Sequence, residues 1–289
     1  MDQTLAQSDA SKAILSAFLK RFGLLLVYLV LIIGLSMLSN RFLTSSNQVN
    51  ILRQATINGI ISVGMTLVIL TAGIDLSVGS VLALSAVIGA DLLKRGIPVP
   101  VAVLAALGVG ALAGLVNGII ITRGKIPPFI ATLGMLTVAR GLTLMYTGGQ
   151  PFTGFPSAFR QIGAGVLGPI PTPIIIALLV FVGVSIILGR TRFGQNIYLL
   201  GDNPVAARLA GINIEFVTVM VYVASGLCAA LAGLILIARL DSAQPVIGMG
   251  YEFNAIAAVV VGGTSFFGGE GTLFGTLLGT LLIETLSNG

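Results

Sequence analysis

Residues 98–122 read PVPVAVLAALGVGALAGLVNGIIIT, an apolar run without a single charged side chain. A helix needs roughly 20 apolar residues to cross about 30 Å of hydrocarbon, and backbone exposed to lipid must form its hydrogen bonds within its own segment. Comparable runs recur along the chain, so we predict an all-α, polytopic helical bundle in a membrane. The nine predicted spans are 22–39, 56–72, 78–93, 98–122, 129–146, 173–189, 216–238, 253–264 and 271–286.

The composition excludes several other classes of protein. Hydrophobic residues make up 56% of the 289 residues and charged residues only 9%, far below the roughly 25% charged content of a soluble domain. The chain has no histidine and one cysteine, Cys228, so neither a disulfide framework nor a thiolate metal site can be built. We therefore predict no metal, no cofactor and no catalytic residue. The basic residues are scattered between apolar runs, which argues against nucleic-acid binding.

The distribution of basic residues predicts the orientation. The first apolar run resembles a signal peptide but is longer than a signal core and lacks a small-residue cleavage site, so we interpret it as a retained span. If nine spans alternate, the N-terminus and the loops holding most basic residues share one side, which the positive-inside rule places in the cytoplasm. Those basic residues are Lys12, Lys20, Arg21, Arg123, Lys125, Arg190, Arg192 and Arg208.

The opposite side then receives loops 147–172 and 239–252. It also receives Lys94 and Arg95, which runs against the positive-inside rule. The chain ends on this outer side directly after an apolar run, with no polar or basic tail. We expect from this abrupt end that a last span is missing, through truncation or an incomplete gene.

The segment LTAGIDLSVGS, residues 70–80, interrupts an apolar stretch with two glycines and an acid. An ionised carboxylate near hydrocarbon is costly unless it has partners. Two alternatives remain open for this segment. Asp75 or Ser77 could cap the third helix by accepting its free N–H groups, or the segment could be a broken helix that lines a transport pathway.

The segment 190–215 predicts a short surface helix between the sixth and seventh spans. Asn203 followed by Pro204 is a helix start, the alanine-rich run continues the helix, and Gly211 ends it. An ordinary structured loop is the alternative. A loop this long and orderly in a small membrane protein is usually functional.

The region from Asn254 to Gly271 contains two glycine runs. The Lys-Ser/Thr pair of a phosphate-binding loop is absent, so we predict a broken or re-entrant helix instead of a nucleotide site. Asn254 and Thr264 are uncharged hydrogen-bonding groups that either cap and join helices or face a pathway. Arg140, deep in the fifth span, needs a carboxylate, carbonyls or water, whereas Arg239 is expected to snorkel to the interface.

Four blocks carry a family resemblance: AGIDLSVGS at 72–80, YLLGDNPVAARLAGI at 198–212, AQP at 243–245 and GYEFNAIAAVVVGGTS at 250–265. Together they closely resemble the ribose permease subunits of bacterial ABC importers, within the monosaccharide-permease family, over nearly the whole chain. The resemblance implies one transmembrane permease domain over 1–289 in the bacterial inner membrane. It also implies a second permease copy, an ATP-hydrolysing ABC subunit, a periplasmic sugar-binding protein, and a tenth span.

Within that family the short helix looks like the Glu-Ala-Ala-x-x-x-Gly motif that couples the permease to its ATPase. Ala206, Ala207 and Gly211 match the motif, but Val205 stands where glutamate is often found. The expected coupling residues are Asn203, Pro204, Val205, Ala206, Ala207, Arg208 and Gly211. The candidate pathway residues are Asp75, Ser77, Asn254 and Thr264.

The predicted function is therefore translocation of ribose or a similar monosaccharide from the binding protein into the cytoplasm, with no enzymatic activity in this chain. The alternatives differ in what they require. An ion-coupled secondary transporter would carry several buried acids or histidines, whereas Asp75 is the one convincing intramembrane acid. A membrane enzyme needs a catalytic constellation that this sequence lacks. A permease for xylose, galactose or autoinducer-2 would share the same blocks.

Overall fold

The computed structural model describes residues 23–288, and nearly all of its ordered elements are helices. The membrane-type helices are α1 Gly23–Leu38, α2 Ser45–Leu70, α3 Val78–Lys94, α4 Val99–Thr122, α5 Pro128–Thr147, α7 Thr172–Arg190, α10 Ile214–Leu240, α11 Tyr251–Val261 and α12 Leu273–Asn288. Three helices lie in the connections: α6 Ser157–Ala164, α8 Arg192–Asp202 and α9 Pro204–Leu209. Four two-residue strands are β1 Phe152–Thr153, β2 Val166–Leu167, β3 Ile170–Pro171 and β4 Ser242–Ala243.

Each predicted span corresponds to a helix, and the all-α polytopic fold is confirmed. Five helices, α2, α4, α5, α7 and α10, are long and apolar enough to cross a membrane. The prediction for α2 was too short, because its first turns carry polar residues that the apolar pattern excluded, yet they are helical. The prediction for α11 was wrong as a full crossing, since 11 residues span only about 16 Å at 1.5 Å per residue.

The bundle is organised around α10, which packs closely against α4 through small residues. Gly110 and Gly114 of α4 face Gly226 of α10, and a Cβ atom added at Gly114 would collide with the carbonyl oxygen of Tyr222. Lipid tails are as apolar as the helix surfaces, so no hydrophobic effect drives helices together in a membrane. Helices there associate through close packing at small residues instead. The small-residue packing predicted for the glycine-rich spans is thus present in this pair of helices.

The connections gather at two ends of the bundle. At one end, Gly201 packs against the carbonyl of Leu70, and Lys125 and Arg208 line the same cavity. At the other end, β1 pairs antiparallel with β4, joining Phe152 to Ala243. Loops 147–172 and 239–252 therefore lie at the same end of the molecule. The predicted cytoplasmic residues Arg123, Lys125, Arg190, Arg192 and Arg208 lie at the opposite end, and Lys12, Lys20 and Arg21 lie outside the described residues.

Two ion pairs lie at the β1–β4 end. The Arg160 guanidinium lies 3.7 Å from the Asp241 carboxylate, which also accepts the Phe155 N–H at 2.9 Å. Arg95 pairs with Asp91 at 2.7 Å. Because Asp91 neutralises Arg95, the exception to the positive-inside rule at this end is smaller than the sequence pattern indicates.

Candidate functional site

The connection between α7 and α10 contains two helices. The predicted helix is confirmed as α9: the Asn203 side chain accepts the N–H groups of Val205 and Ala206, both at 3.0 Å. Gly211 follows the helix with φ +81°, the left-handed conformation that glycine supplies after a helix end. The preceding α8 was not predicted, although Thr191 caps it by accepting the Gly194 N–H at 3.1 Å.

The outward face of α9 is apolar. Val205 and Leu209 are 70% and 84% exposed, whereas Ala207 is 3% exposed. Residues four apart share a helix face and a residue two positions away points elsewhere, so Ala207 packs inward while Val205 and Leu209 face out. The expectation that both alanines form the exposed coupling face therefore needs correction, because the Ala207 side chain belongs to the packed side.

The loop 262–272 connects α11 to α12 and packs beside α8. The Gly269 N–H donates to the Leu70 carbonyl at 3.0 Å, and the Tyr198 hydroxyl donates to the Gly271 carbonyl at 3.0 Å. Burial raises the pKa of the Tyr198 phenol further above neutral pH. The end of α2, α8 and this loop are thereby tied together directly behind α9.

Asp75 forms a buried hydrogen-bond network. Its Oδ1 accepts the Ser77 N–H at 3.0 Å and the Ser77 hydroxyl at 2.6 Å, and its Oδ2 accepts the Ser225 hydroxyl at 2.8 Å. Asn117 donates to the Ser77 hydroxyl at 3.0 Å. The segment before α3 is thus joined to α10 and α4. Ser77 occupies the N-cap position of α3, but its side chain makes no capping bond.

Arg140 of α5 holds the non-helical segment 244–250. Its Nη1 donates to the Pro245 carbonyl at 2.7 Å and to the Ile247 carbonyl at 3.0 Å. Of the three partners that the sequence left open for Arg140, the structure provides two carbonyls as hydrogen-bond acceptors, and the buried Glu252 carboxylate lies close enough to interact with the charge of Arg140. The same segment packs against the first turn of α3, where a Cβ atom at Gly79 would collide with the Gly248 carbonyl. Non-helical backbone inside a membrane bundle requires such protein partners.

A polar cavity of about 360 Å³ lies between α2, α10, α11 and α12. Its polar lining residues are Gln54, Asn58, Arg239, Tyr251, Asn254, Glu284 and Ser287, and its apolar lining residues are Ile57, Leu236 and Leu240. The Asn58 amide donates to the Glu284 carboxylate within the wall. Arg239 lines this cavity with a half-buried side chain.

The four candidate pathway residues fall in three places. Asp75 and Ser77 share the network above, Asn254 lines the polar cavity, and Thr264 is buried in loop 262–272. The sequence prediction missed Asn58 and Glu284, which face each other across α2 and α12. The available signal was the presence of polar and ionisable residues within apolar helices.

The chain is thus a polytopic helical bundle with a polar cavity between α2, α10, α11 and α12 and an exposed short helix, α9, at one end. The family model described as "branched-chain amino acid transport system / permease component" matches residues 47–289. The chain belongs to this permease family.

Named relatives are permeases for sugars. The chain is 49% identical over 269 residues to the ribose import permease protein RbsC of Escherichia coli (strain K12), covering 92% of this chain and 84% of that protein. It is 46% identical over 285 residues to RbsC of Bacillus subtilis (strain 168), covering 98% and 88%. Identity to the D-allose transport system permease protein AlsC of Escherichia coli (strain K12) is 40% over 266 residues, covering 92% and 81%. No solved structure matches the chain significantly.

Proposed function

We propose that this chain is the permease subunit of an ABC importer that carries ribose into the cytoplasm. The observation that carries this proposal is the near 50% identity to a ribose import permease over 92% of the chain. Identity falls to 40% for the allose permease and 36% for a galactose permease, which favours ribose among these sugars. The proposed setting is the bacterial inner membrane, with the N-terminus in the cytoplasm.

The proposed partners follow from the ABC importer type. An ATP-hydrolysing subunit binds the α9 end, a periplasmic sugar-binding protein binds the β1–β4 end, and a second copy of this chain completes the pathway. Uptake of labelled ribose by the reconstituted complex, in competition with allose, xylose and galactose, tests the proposal. We expect ribose to compete best, and preferential uptake of another sugar would reassign the substrate.

The proposed coupling route starts at the exposed face of α9. Movement of the docked ATPase shifts α9 and α8, and the bonds from Tyr198 to Gly271 and from Gly269 to Leu70 pass this shift to α12 and α2. Coupling between two sites requires such an element with two arrangements. ATP binding and hydrolysis in the partner then alternate the opening of the pathway.

The proposed orientation predicts which loops water-soluble reagents can reach. In a Cys228→Ser background, Gln150→Cys next to β1 should react with a membrane-impermeant thiol reagent added from the periplasm. Asn203→Cys should react after access from the cytoplasm. The two positions lie at opposite ends of the bundle, so each is the control for the other. The reverse pattern of labelling would overturn the orientation.

Asp75→Asn is expected to leave the protein inserted while lowering ribose uptake several-fold. The carboxylate accepts hydrogen bonds from Ser77 and Ser225, and an amide at this position offers one acceptor in place of two. The junction between α3 and α10 is thereby loosened. Glu215→Gln, at an exposed acid in the first turn of α10, is the isosteric control. Wild-type uptake together with a wild-type melting temperature for Asp75→Asn would remove Asp75 from the transport mechanism.

A further inference from the structure

Two buried polar atoms of α2 beside the polar cavity have no hydrogen-bond partner among the described residues. The Asn58 side chain is 6% exposed, and while its amide donates to Glu284, its Oδ1 accepts no hydrogen bond. Arg53 Nε, in the same part of α2, is also buried and unpaired. A buried acceptor or donor without a partner is costly. Neither atom is open to the cavity, so the polar side chains that an occupant reaches are the half-buried lining residues Arg239, Tyr251 and Asn254.

The cavity is lined by charged side chains of both signs, Arg239 and Glu284, and neither forms an ion pair among the described residues. Arg239 lies close enough to feel the charge of Arg53, and Glu284 is the nearest carboxylate in the lining. Both ion pairs in the described part of the chain lie elsewhere, at Asp91 and Asp241. Ionisable side chains inside spanning helices mark substrate pathways.

The position of the cavity suits entry from outside. Leu240 and Ser287, at the last residues of α10 and α12, are exposed at its edge. The adjoining β4 pairs with β1, so the opening faces the end proposed to meet the binding protein. A ligand delivered there meets Asn254, one of the candidate pathway residues.

The chemistry of the wall selects a neutral polyhydroxyl ligand. A hydroxyl group can donate to the Asn254 amide oxygen or to Glu284, and it can accept from the Arg239 guanidinium or the Asn254 amide N–H. A simple anion would meet Glu284, and a simple cation would meet Arg239. Tyr251, Ile57 and Leu236 provide apolar surface for the C–H face of a sugar ring. The volume of about 360 Å³ lies within the roughly 300–1,000 Å³ usual for small-molecule sites.

We propose that this cavity is the outer monosaccharide-binding site of the permease, with Arg239, Asn254 and Glu284 contacting sugar hydroxyls. This proposal rests on the proposed sugar-import function. It assigns the selectivity of the permease itself to the facing sides of α10, α11 and α12.

The first test is accessibility with substrate protection. In a Cys228→Ser background, Asn254→Cys is compared with Phe253→Cys, the neighbouring position on α11 whose side chain is 64% exposed outside the cavity. The complete complex in proteoliposomes is treated with a small anionic methanethiosulfonate, with and without ribose and its binding protein. We expect the reagent to lower ribose uptake about tenfold in Asn254→Cys but not in Phe253→Cys. We also expect the reagent to modify Asn254→Cys more slowly when ribose and its binding protein are present. Equal sensitivity of the two variants, or no protection by ribose, overturns the site.

The second test measures discrimination. Asn254→Ala should raise the KM for ribose uptake about tenfold, and it should reduce the preference for ribose over 2-deoxyribose, since a lost hydrogen bond of about 1.4 kcal/mol corresponds to a factor of ten. Thr137→Ala on the exposed face of α5 is the control. Unchanged KM and preference, with normal ATPase copurification, overturn the site while leaving the function intact. Failure of the wild-type complex to take up any of the sugars overturns the function and this site together.

Discussion

Gly211→Trp is expected to abolish ATP-driven sugar uptake while the protein still inserts into the membrane. Gly211 has φ +81°, a conformation that an L-residue with a large side chain adopts only with strain. A Cβ atom at this position meets nothing within 4 Å, so an indole would project into the space that the ATPase must occupy. Copurified ATPase and sugar-stimulated ATP hydrolysis should both fall at least tenfold, the effect of losing about 1.4 kcal/mol of binding free energy.

Gly211→Asn is the matched control, because asparagine tolerates the left-handed conformation and is small. It should keep most of the ATPase binding. A second pair tests the apolar face: Leu209→Asp places a charge at an 84% exposed position of α9, and Leu167→Asp does the same at a 70% exposed position at the other end. We expect less copurified ATPase subunit for Leu209→Asp only. A loss of copurified ATPase in both Leu209→Asp and Leu167→Asp, or in neither, would show that the coupling surface lies elsewhere.

Two other substitutions in α9 separate docking from folding. Ala207→Asp should reduce the stability of α9 itself, because Ala207 is buried and an unpaired charge there is costly. Val205→Glu should be tolerated, since Val205 is exposed and an acid in the first helical turn gains about 0.3–1 kcal/mol from the helix dipole. Limited proteolysis of the segment that contains α8 and α9 measures whether α9 is destabilised. We expect faster cleavage of Ala207→Asp than of Val205→Glu, and equal cleavage of the two variants would contradict the inward placement of Ala207.

Arg140→Met is expected to lower both stability and transport strongly. The guanidinium donates to the carbonyls of Pro245 and Ile247, and hydrogen bonds to charged groups contribute about 1.5–3 kcal/mol each. Without them, segment 244–250 leaves two carbonyls unsatisfied inside the bundle and separates from α3. The melting temperature in detergent should fall clearly, and ribose uptake in proteoliposomes should fall about tenfold or more.

Arg140→Lys and Arg190→Met serve as controls. Lysine keeps the charge and has enough donors for both carbonyls, but its ammonium is a compact, strongly hydrated group that does not occupy the position of the guanidinium Nη1, so we expect an intermediate loss. Arg190 is exposed at the end of α7, and its replacement should leave the melting temperature nearly unchanged. A wild-type melting temperature for Arg140→Met would falsify the role of Arg140 in holding the segment.

Prediction from sequence succeeded where a local pattern carried the information. Long apolar runs predicted the helices, and Asn203-Pro204 with Gly211 predicted α9, because capping and helix termination depend on neighbouring residues. Hydropathy overestimated α11 as a complete span, because Gly262 ends the helix after 11 residues, whereas the glycine runs correctly predicted a broken helix in this region. The hydropathy of residues 253–264 does not distinguish a short buried helix from a complete span.

At the candidate site, too, the sequence indicated which residues need partners, and the tertiary structure determined which partners they have. That Arg140 must have a partner followed from its place in an apolar run, since an ionisable group in lipid needs one. That the partners are two carbonyls about a hundred residues later in the chain depends on how α5 packs against segment 244–250. Asn58 and Glu284 likewise become one wall only when α2 and α12 meet.

By itself the sequence determined the membrane class, the approximate helices and the family blocks, because hydrocarbon thickness and helix geometry act on consecutive residues. Only the tertiary structure decided which face of α9 is exposed, which hydroxyl groups donate to the Asp75 carboxylate, and which polar residues enclose the cavity. These contacts join positions that are far apart in the chain. Their formation depends on close helix packing at residues such as Gly114 and Gly226, which no single segment encodes alone.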